Sequence, residues 1–116
     1  VTGNYIAERL RSYRFNFNSE DELQRGVERA LERESIPFER EARISDKDRI
    51  DFLCSGIGIE IKTQGSRASV LRQVHRYCGL EALSELILLT SRSNHTRGLG
   101  DALQGKPVHV VYVGVF

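Results

Sequence analysis

At 116 residues and a net charge of +1, the chain has room for one domain with a real core, and it lacks the overall basicity of a protein that coats nucleic acid by charge alone. Its two cysteines, Cys54 and Cys78, lie in apolar stretches without metal-ligand spacing, which argues against a zinc cage or disulfide scaffold and for two reduced core thiols. No apolar run is long enough to span a membrane, and no repeat, low-complexity tract or linker divides residues 1–116, so a single domain is expected.

Residues 1–18 form a basic and aromatic lead-in, partly helical, with Arg9, Arg11 and Arg14 near Tyr5, Tyr13 and Phe15. Ser19 and Glu22 have capping-box spacing, and Leu23, Val27, Ala30 and Leu31 follow with helical period, which predicts a helix over 20–34. Pro37 stops that pattern, and "PFEREARI" (37–44) reads as a strand. "RIDFLC" (49–54) and "GIGIEIK" (56–62) read as two more strands around Ser55-Gly56. A second helix is predicted over 67–78, with Val70, Leu71, Val74, Tyr77 and Cys78 on one side and Gly79 near its end. "ELILLT" (85–90) is a continuous apolar run, expected as a strand buried on both faces. Residues 91–107 are polar and Gly-rich, a loop with one short helical turn, and "VHVVYVGV" (108–115) is expected as a final, largely buried strand. The order α-β-β-β-α-β-β predicts an α/β (α+β) fold, with a central mixed sheet of about five strands flanked by helices.

The hairpin 48–62 carries a concentration of charge. Alternation puts Ile50, Phe52 and Cys54 on one face of its first strand, with Arg49, Asp51 and Leu53 on the other. On the second strand Ile57, Ile59 and Ile61 share a face, and Glu60 and Lys62 share the opposite one. With Ser55-Gly56 as a two-residue turn, Asp51 lies opposite Glu60 and Arg49 opposite Lys62. Facing carboxylates then have Cβ atoms about 5 Å apart, an arrangement that is destabilising unless a positive group offsets it, and a divalent cation with oxygen ligands is the natural candidate. With a four-residue loop, Ser55 to Gly58, Asp51 instead faces Lys62 as an ordinary cross-strand ion pair.

The pattern Asp51-(x8)-Glu60-Ile61-Lys62 resembles the PD-(D/E)xK motif of the restriction-endonuclease-like nucleases, and the element order over residues 19–91 resembles their common core. Ile50 stands where that motif has proline. "QVHRY" (73–77) resembles the QxxxY pattern of the RecB-like branch, and "SRASVLRQVHRY" looks like the second helix of small resolvase-like enzymes of phages and archaea. In a helix Gln73 and Tyr77 lie on one face. The family often places an acidic residue on its first helix. Glu20 shares the stripe of Leu23, Val27 and Leu31 and is favoured, with Gln24 one turn deeper; Glu22 is the runner-up, and Glu28 flanks the stripe.

The resemblance implies a Mg2+-dependent DNA nuclease, with Mn2+ as a substitute. Asp51, Glu60, the Ile61 backbone carbonyl and Glu20 are the expected metal ligands, and Lys62 the residue that orients or deprotonates water. Gln73 and Tyr77 are expected at the same site. DNA contacts are expected from Arg49, Gln64, Ser66, Arg67, Arg72 and Arg76, beside His75, with a second basic region at Arg92, His95, Arg97 and Lys106. Without a specificity domain, a structure-selective or nonspecific endonuclease is expected, resolvase-like or nicking, in DNA repair or recombination. Expected partners are DNA, a second copy in a homodimer and other DNA-processing proteins, with no membrane. The expected location is the cytoplasm, or the host cytoplasm if the protein is phage-encoded. A catalytically silent DNA-binding module or a protein-interaction subunit on the same fold is the alternative.

Overall fold

The computed structural model describes residues 1–114. Helix α1 (Gly3–Arg11) is capped by Thr2, whose hydroxyl accepts from the Tyr5 amide at 3.1 Å. Helix α2 (Glu20–Arg33) starts at Ser19, whose hydroxyl accepts from the Glu22 amide at 3.1 Å, and ends one residue short of the expected position because Glu34 serves as its C-cap. Strands β1 (Glu39–Arg43), β2 (Arg49–Cys54) and β3 (Ile57–Lys62) form an antiparallel meander. Helix α3 (Arg67–Cys78) then crosses over to β4 (Glu85–Thr90), which runs parallel to β3, and β6 (Lys106–Tyr112) runs parallel to β4.

With β5 at Ala102–Leu103, the sheet order is β1-β2-β3-β4-β6-β5, an open mixed sheet of six strands rather than about five. The added strand β5 (Ala102–Leu103) lies inside the expected loop and pairs antiparallel with β6. Gln104 and Gly105 join them with φ of 51° and 77°, the left-handed pair that closes a two-residue hairpin. The final strand begins at Lys106, two residues early, and is half-buried at most positions because only this short strand covers its outer edge. Its expected end at Val115 lies outside the described residues.

Helices cover both faces of the sheet. Leu23, Val27, Ala30 and Leu31 of α2 and Ile6, Ala7 and Leu10 of α1 pack against Phe52, Cys54, Ile57, Ile59, Ile61, Ile87 and Leu89. On the opposite face Val70, Val74, Tyr77 and Cys78 of α3 pack against Ile50, Leu86, Leu88 and Val108. Strand β4 is buried on both sides, as its unbroken apolar run predicts, and both cysteines are free and buried. No helix among the described residues is long and apolar enough to cross a membrane.

The alternation expected for β2 breaks at Asp51. Phe52 and Cys54 pack beneath α1 and α2, but Ile50 packs on the α3 side. The pairings Arg40↔Phe52 and Ala42↔Ile50 place Glu41 opposite Asp51, and Glu41 adopts a left-handed φ of 50°. That conformation costs about 1–2 kcal/mol, so both strands turn over together at this point through local strain.

Gly58 shows how tightly the α3 face is filled around the turned-over Ile50. A Cβ on Gly58 would lie 2.4 Å from Ile50 Cδ1 and 2.9 Å from Leu83 Cδ2. Gly58→Ala is expected to destabilise the fold by about 1–3 kcal/mol, the usual cost of overpacking, read as a lower urea midpoint with unchanged slope.

Candidate active site

The β2–β3 turn has two residues, Ser55 (φ 49°) and Gly56 (φ 86°), and the pairs Cys54↔Ile57, Leu53↔Gly58 and Phe52↔Ile59 follow from it. The next step along the register sets Asp51 against Glu60, not against Lys62. There the ladder opens. In a regular antiparallel pair the Ile61 amide would bond the Ile50 carbonyl. Here it donates instead to Asp51 Oδ2 at 2.7 Å. A strand residue points its N–H and C=O toward the same neighbour, so the Ile61 carbonyl also faces this gap.

A relay fixes the Asp51 carboxylate from the helix side. Gln24 Nε2 donates to Asp51 Oδ1 at 3.3 Å, and Gln24 Oε1 accepts from Arg40 at 3.1 Å. Arg40 also pairs with Glu28 at 2.6 Å and stacks 4.8 Å above the Phe52 ring. Arg40 was not anticipated, although its register position beside Phe52, next to Asp51, is the signal that marks it.

Glu60 is buried, with its side chain 8% exposed, and Lys62 Nζ lies 3.3 Å from its Oε2. Its other oxygen, Oε1, is buried without a hydrogen-bond partner. Burial pushes the Glu60 carboxyl up to about 8, helped by repulsion from Asp51 and opposed by Lys62 and the backbone amide of Asp51. Burial also pushes Asp51 up to about 6; Glu20 and Glu41 raise it further, while the Ile61 amide and Lys62 pull it down. An unpartnered buried carboxylate oxygen beside a second carboxylate and a backbone carbonyl is a set of hard oxygen donors, the kind that could hold a hard divalent cation.

The remaining residues divide. Glu20 is in line with the core-facing stripe of α2 but exposed, because it stands at the helix's first turn, and among the described residues no three His, Cys, Asp or Glu side chains come together as a metal cage. Its charge reaches Asp51, but Gln24, one turn deeper, makes the contact. Glu28 is held by Arg40, and Glu22 follows the capping Ser19. Tyr77 is buried and accepts from Gln73 Nε2 at 2.9 Å, while its own hydroxyl donates to the Arg49 carbonyl at 3.4 Å. Burial, followed by the Glu60 charge, pushes the Tyr77 phenol up to about 12. Gln73 and Tyr77 thus share a face next to the carboxylates, as the four-residue spacing predicts.

A cleft of about 320 Å³ opens beside Lys62, walled by Gln64, Ser69, Arg72, Gln73 and Arg76. Arg72 has no ion pair among the described residues, whereas Arg76 is held by Asp48 at 2.7 Å. Three expected DNA contacts are occupied elsewhere. The Ser66 hydroxyl caps α3, Arg67 donates to the Arg97 carbonyl at 2.9 Å, and Arg49 donates to the Glu41 carbonyl at 3.4 Å.

The second basic region does not hold together. Lys106 is turned onto the Leu80 carbonyl. His95, in a 3-10 turn (Ser93–Thr96), is fully buried. Its Nε2 donates to the Gly65 carbonyl at 2.7 Å, so its Nδ1 accepts from the Thr90 hydroxyl, also at 2.7 Å. His95 therefore fastens the loop after Lys62 to the end of β4. His95→Leu is expected to cost about 1–2 kcal/mol in urea unfolding, because the buried Thr90 hydroxyl would lose its acceptor and the Gly65 carbonyl its donor.

Comparisons with protein-family models, with curated proteins and with solved structures find no match to this chain.

Proposed function

We propose that the protein is a Mg2+-dependent DNA nuclease of the PD-(D/E)xK type, built on a restriction-endonuclease-like core and cutting as a structure-selective or nonspecific endonuclease. The observation that carries this reading is the opened ladder, where Asp51, Glu60 and the Ile61 carbonyl converge beside Lys62 and one buried Glu60 oxygen has no partner. Mn2+ has the same preference for oxygen ligands and would substitute.

Asp51, Glu60 and the Ile61 carbonyl would hold the ion, and the charge of Glu20, which reaches Asp51, would add to the attraction for it. When bound, a divalent cation neutralises charge on the phosphate and lowers the pKa of water. The chain's own residues supply the rest. The Ile61 amide and Gln24 fix the rotamer of Asp51 before substrate arrives. Lys62, which carries three donors and a positive charge, orients the attacking water and stabilises negative charge on the phosphate as the bond to the leaving oxygen breaks. Orientation ranks above proton abstraction, because Lys62 Nζ lies 3.3 Å from Glu60 Oε2 and its three donors can hold both that group and a water. Arg72, Arg76 and Gln64 grip phosphates in the cleft without reading sequence. Gln73 and Tyr77 hold the wall between cleft and carboxylates.

One observation favours a silent DNA-binding module instead: Lys62 Nζ already contacts Glu60 Oε2 at 3.3 Å. A panel of fork, junction, flap, duplex and single-stranded substrates with Mg2+ or Mn2+ separates the readings. The nuclease reading expects hydrolysis of at least one substrate, abolished by EDTA. Salt-dependent gel shifts with no cleavage of any substrate would favour the silent module. Cleavage of junctions in paired strands would also require a homodimer, which sedimentation of the protein tests directly.

A further inference from the structure

We infer that the segment between α1 and α2 is a docking groove for an unpaired DNA strand that leads away from the candidate active site; this rests on the nuclease reading for what lies at the groove's end. The Lys62 cleft and a polar depression walled by Phe17, Asn18, Ser19, Thr63 and the Glu20 carboxylate share Gln64, so a strand crossing it passes one negative charge. That depression shares Phe17 with a larger groove of about 560 Å³, walled by Tyr13, Arg14, Phe15 and Tyr112. The three hollows thus form one path over the surface, joined at two shared side chains.

The chemistry changes along the path. At the catalytic end the walls are cations and amides, suited to phosphate. At the far end they are aromatic rings with arginine. Tyr13 and Phe15 are stacked, with ring centroids 6.1 Å apart, and Phe17 and Tyr112 are half-buried. Arg14 is exposed and makes no ion pair or side-chain hydrogen bond among the described residues. Arg29 and Arg33 extend the positive charge along α2 behind Phe15, with Glu32 among them. Duplex DNA keeps its bases inside and offers such rings nothing to stack on. An unpaired strand offers base faces to the aromatics and phosphates to the arginines, and that combination is the general chemistry of single-strand binding.

The experiment is equilibrium binding in EDTA, where no hydrolysis occurs, to a labelled 20-nucleotide oligodeoxythymidine, a blunt 20-base-pair duplex, and the same duplex with a single-stranded tail. The expected result is at least about 5-fold tighter binding of the single strand and the tailed duplex than of the blunt duplex. The chain has no tryptophan, and two of its four tyrosines border the groove, so tyrosine emission is expected to fall on saturation with the single strand. Phe17→Ala is expected to weaken single-strand binding by about 10-fold while changing blunt-duplex binding by less than 2-fold. Arg14→Glu, at an exposed position with no packing role, gives the same test if Phe17→Ala does not fold. Equal affinity for the three ligands, or unchanged single-strand affinity in the Arg14 variant, would overturn the proposal. Single-strand preference without hydrolysis under any divalent ion would uphold the groove and remove the nuclease reading. Hydrolysis with no such preference would do the reverse.

Discussion

Lys62→Ala is expected to lower Mg2+-dependent nicking of supercoiled plasmid by about 10²–10⁴-fold, the range for losing a positioned proton-transfer or water-orienting group. The fold should survive the change. Lys62 is half-buried at the end of β3, and its one charged partner among the described residues is Glu60, whose raised pKa leaves it mostly protonated at neutral pH. Binding of DNA in EDTA should fall by no more than a few-fold, because Arg72, Arg76 and Gln64 remain. The loss should therefore appear in kcat rather than KM. Lys62→Arg should not rescue it, since a planar guanidinium cannot place a compact point charge beside Glu60 in the same space. Asp51→Asn should be equally inactive yet well folded, because an amide oxygen still accepts from the Ile61 amide. Nicking at wild-type rate in either variant would sink the assignment of this pocket as the catalytic centre.

The part of this site that could be read from sequence is the part set by local rules. Ser55-Gly56 suits a two-residue turn, and the turn sets the register that brings Asp51 to Glu60. The four-residue spacing of Gln73 and Tyr77 places them on one helix face, and the hydrogen bond between them follows. What could not be read depends on height, twist or an irregular chain. Helical periodicity gives the direction of Glu20 around the α2 axis but not its distance from the sheet. At the first turn the helix overhangs solvent, and Gln24 makes the contact instead. Alternation assigns Ile50 the face of Phe52 because it assumes regular strands, and the left-handed Glu41 breaks that assumption. His95 sits in a polar stretch without periodicity, so nothing local distinguishes a buried pin from a surface cation. The β5 hairpin did leave a signal, Gln104-Gly105, but a two-residue strand is too short to show alternation.

The two buried carboxylates make stability itself report on the ion. Without a divalent cation, Asp51 and Glu60 hold protons in the folded protein up to about pH 6 and about pH 8, while the unfolded chain releases them near pH 4. Across that window the folded state binds more protons than the unfolded state, so the unfolding free energy must fall as pH rises from about 4 to 8. At about 1.4 kcal/mol per pH unit, the two raised carboxyls set an upper bound of about 7 kcal/mol on the loss, read as a Tm that falls steadily across the window. Glu34 and Asp48, whose ion pairs with Arg9 and Arg76 lower their pKa, act in the opposite sense but only below the ordinary carboxylate range, so the window above pH 5 reports the pair. Mg2+ should restore the loss at pH 8, where Asp51 is ionised and Glu60 half-ionised, and have little effect at pH 5, where both are mostly protonated. Glu60→Gln should flatten the slope, raise the metal-free Tm at pH 8 and abolish the Mg2+-dependent rise. A metal-free Tm independent of pH between 5 and 8 would mean that water or a rearranged Lys62 satisfies both carboxylates, and the physical reason for placing a cation between them would be gone.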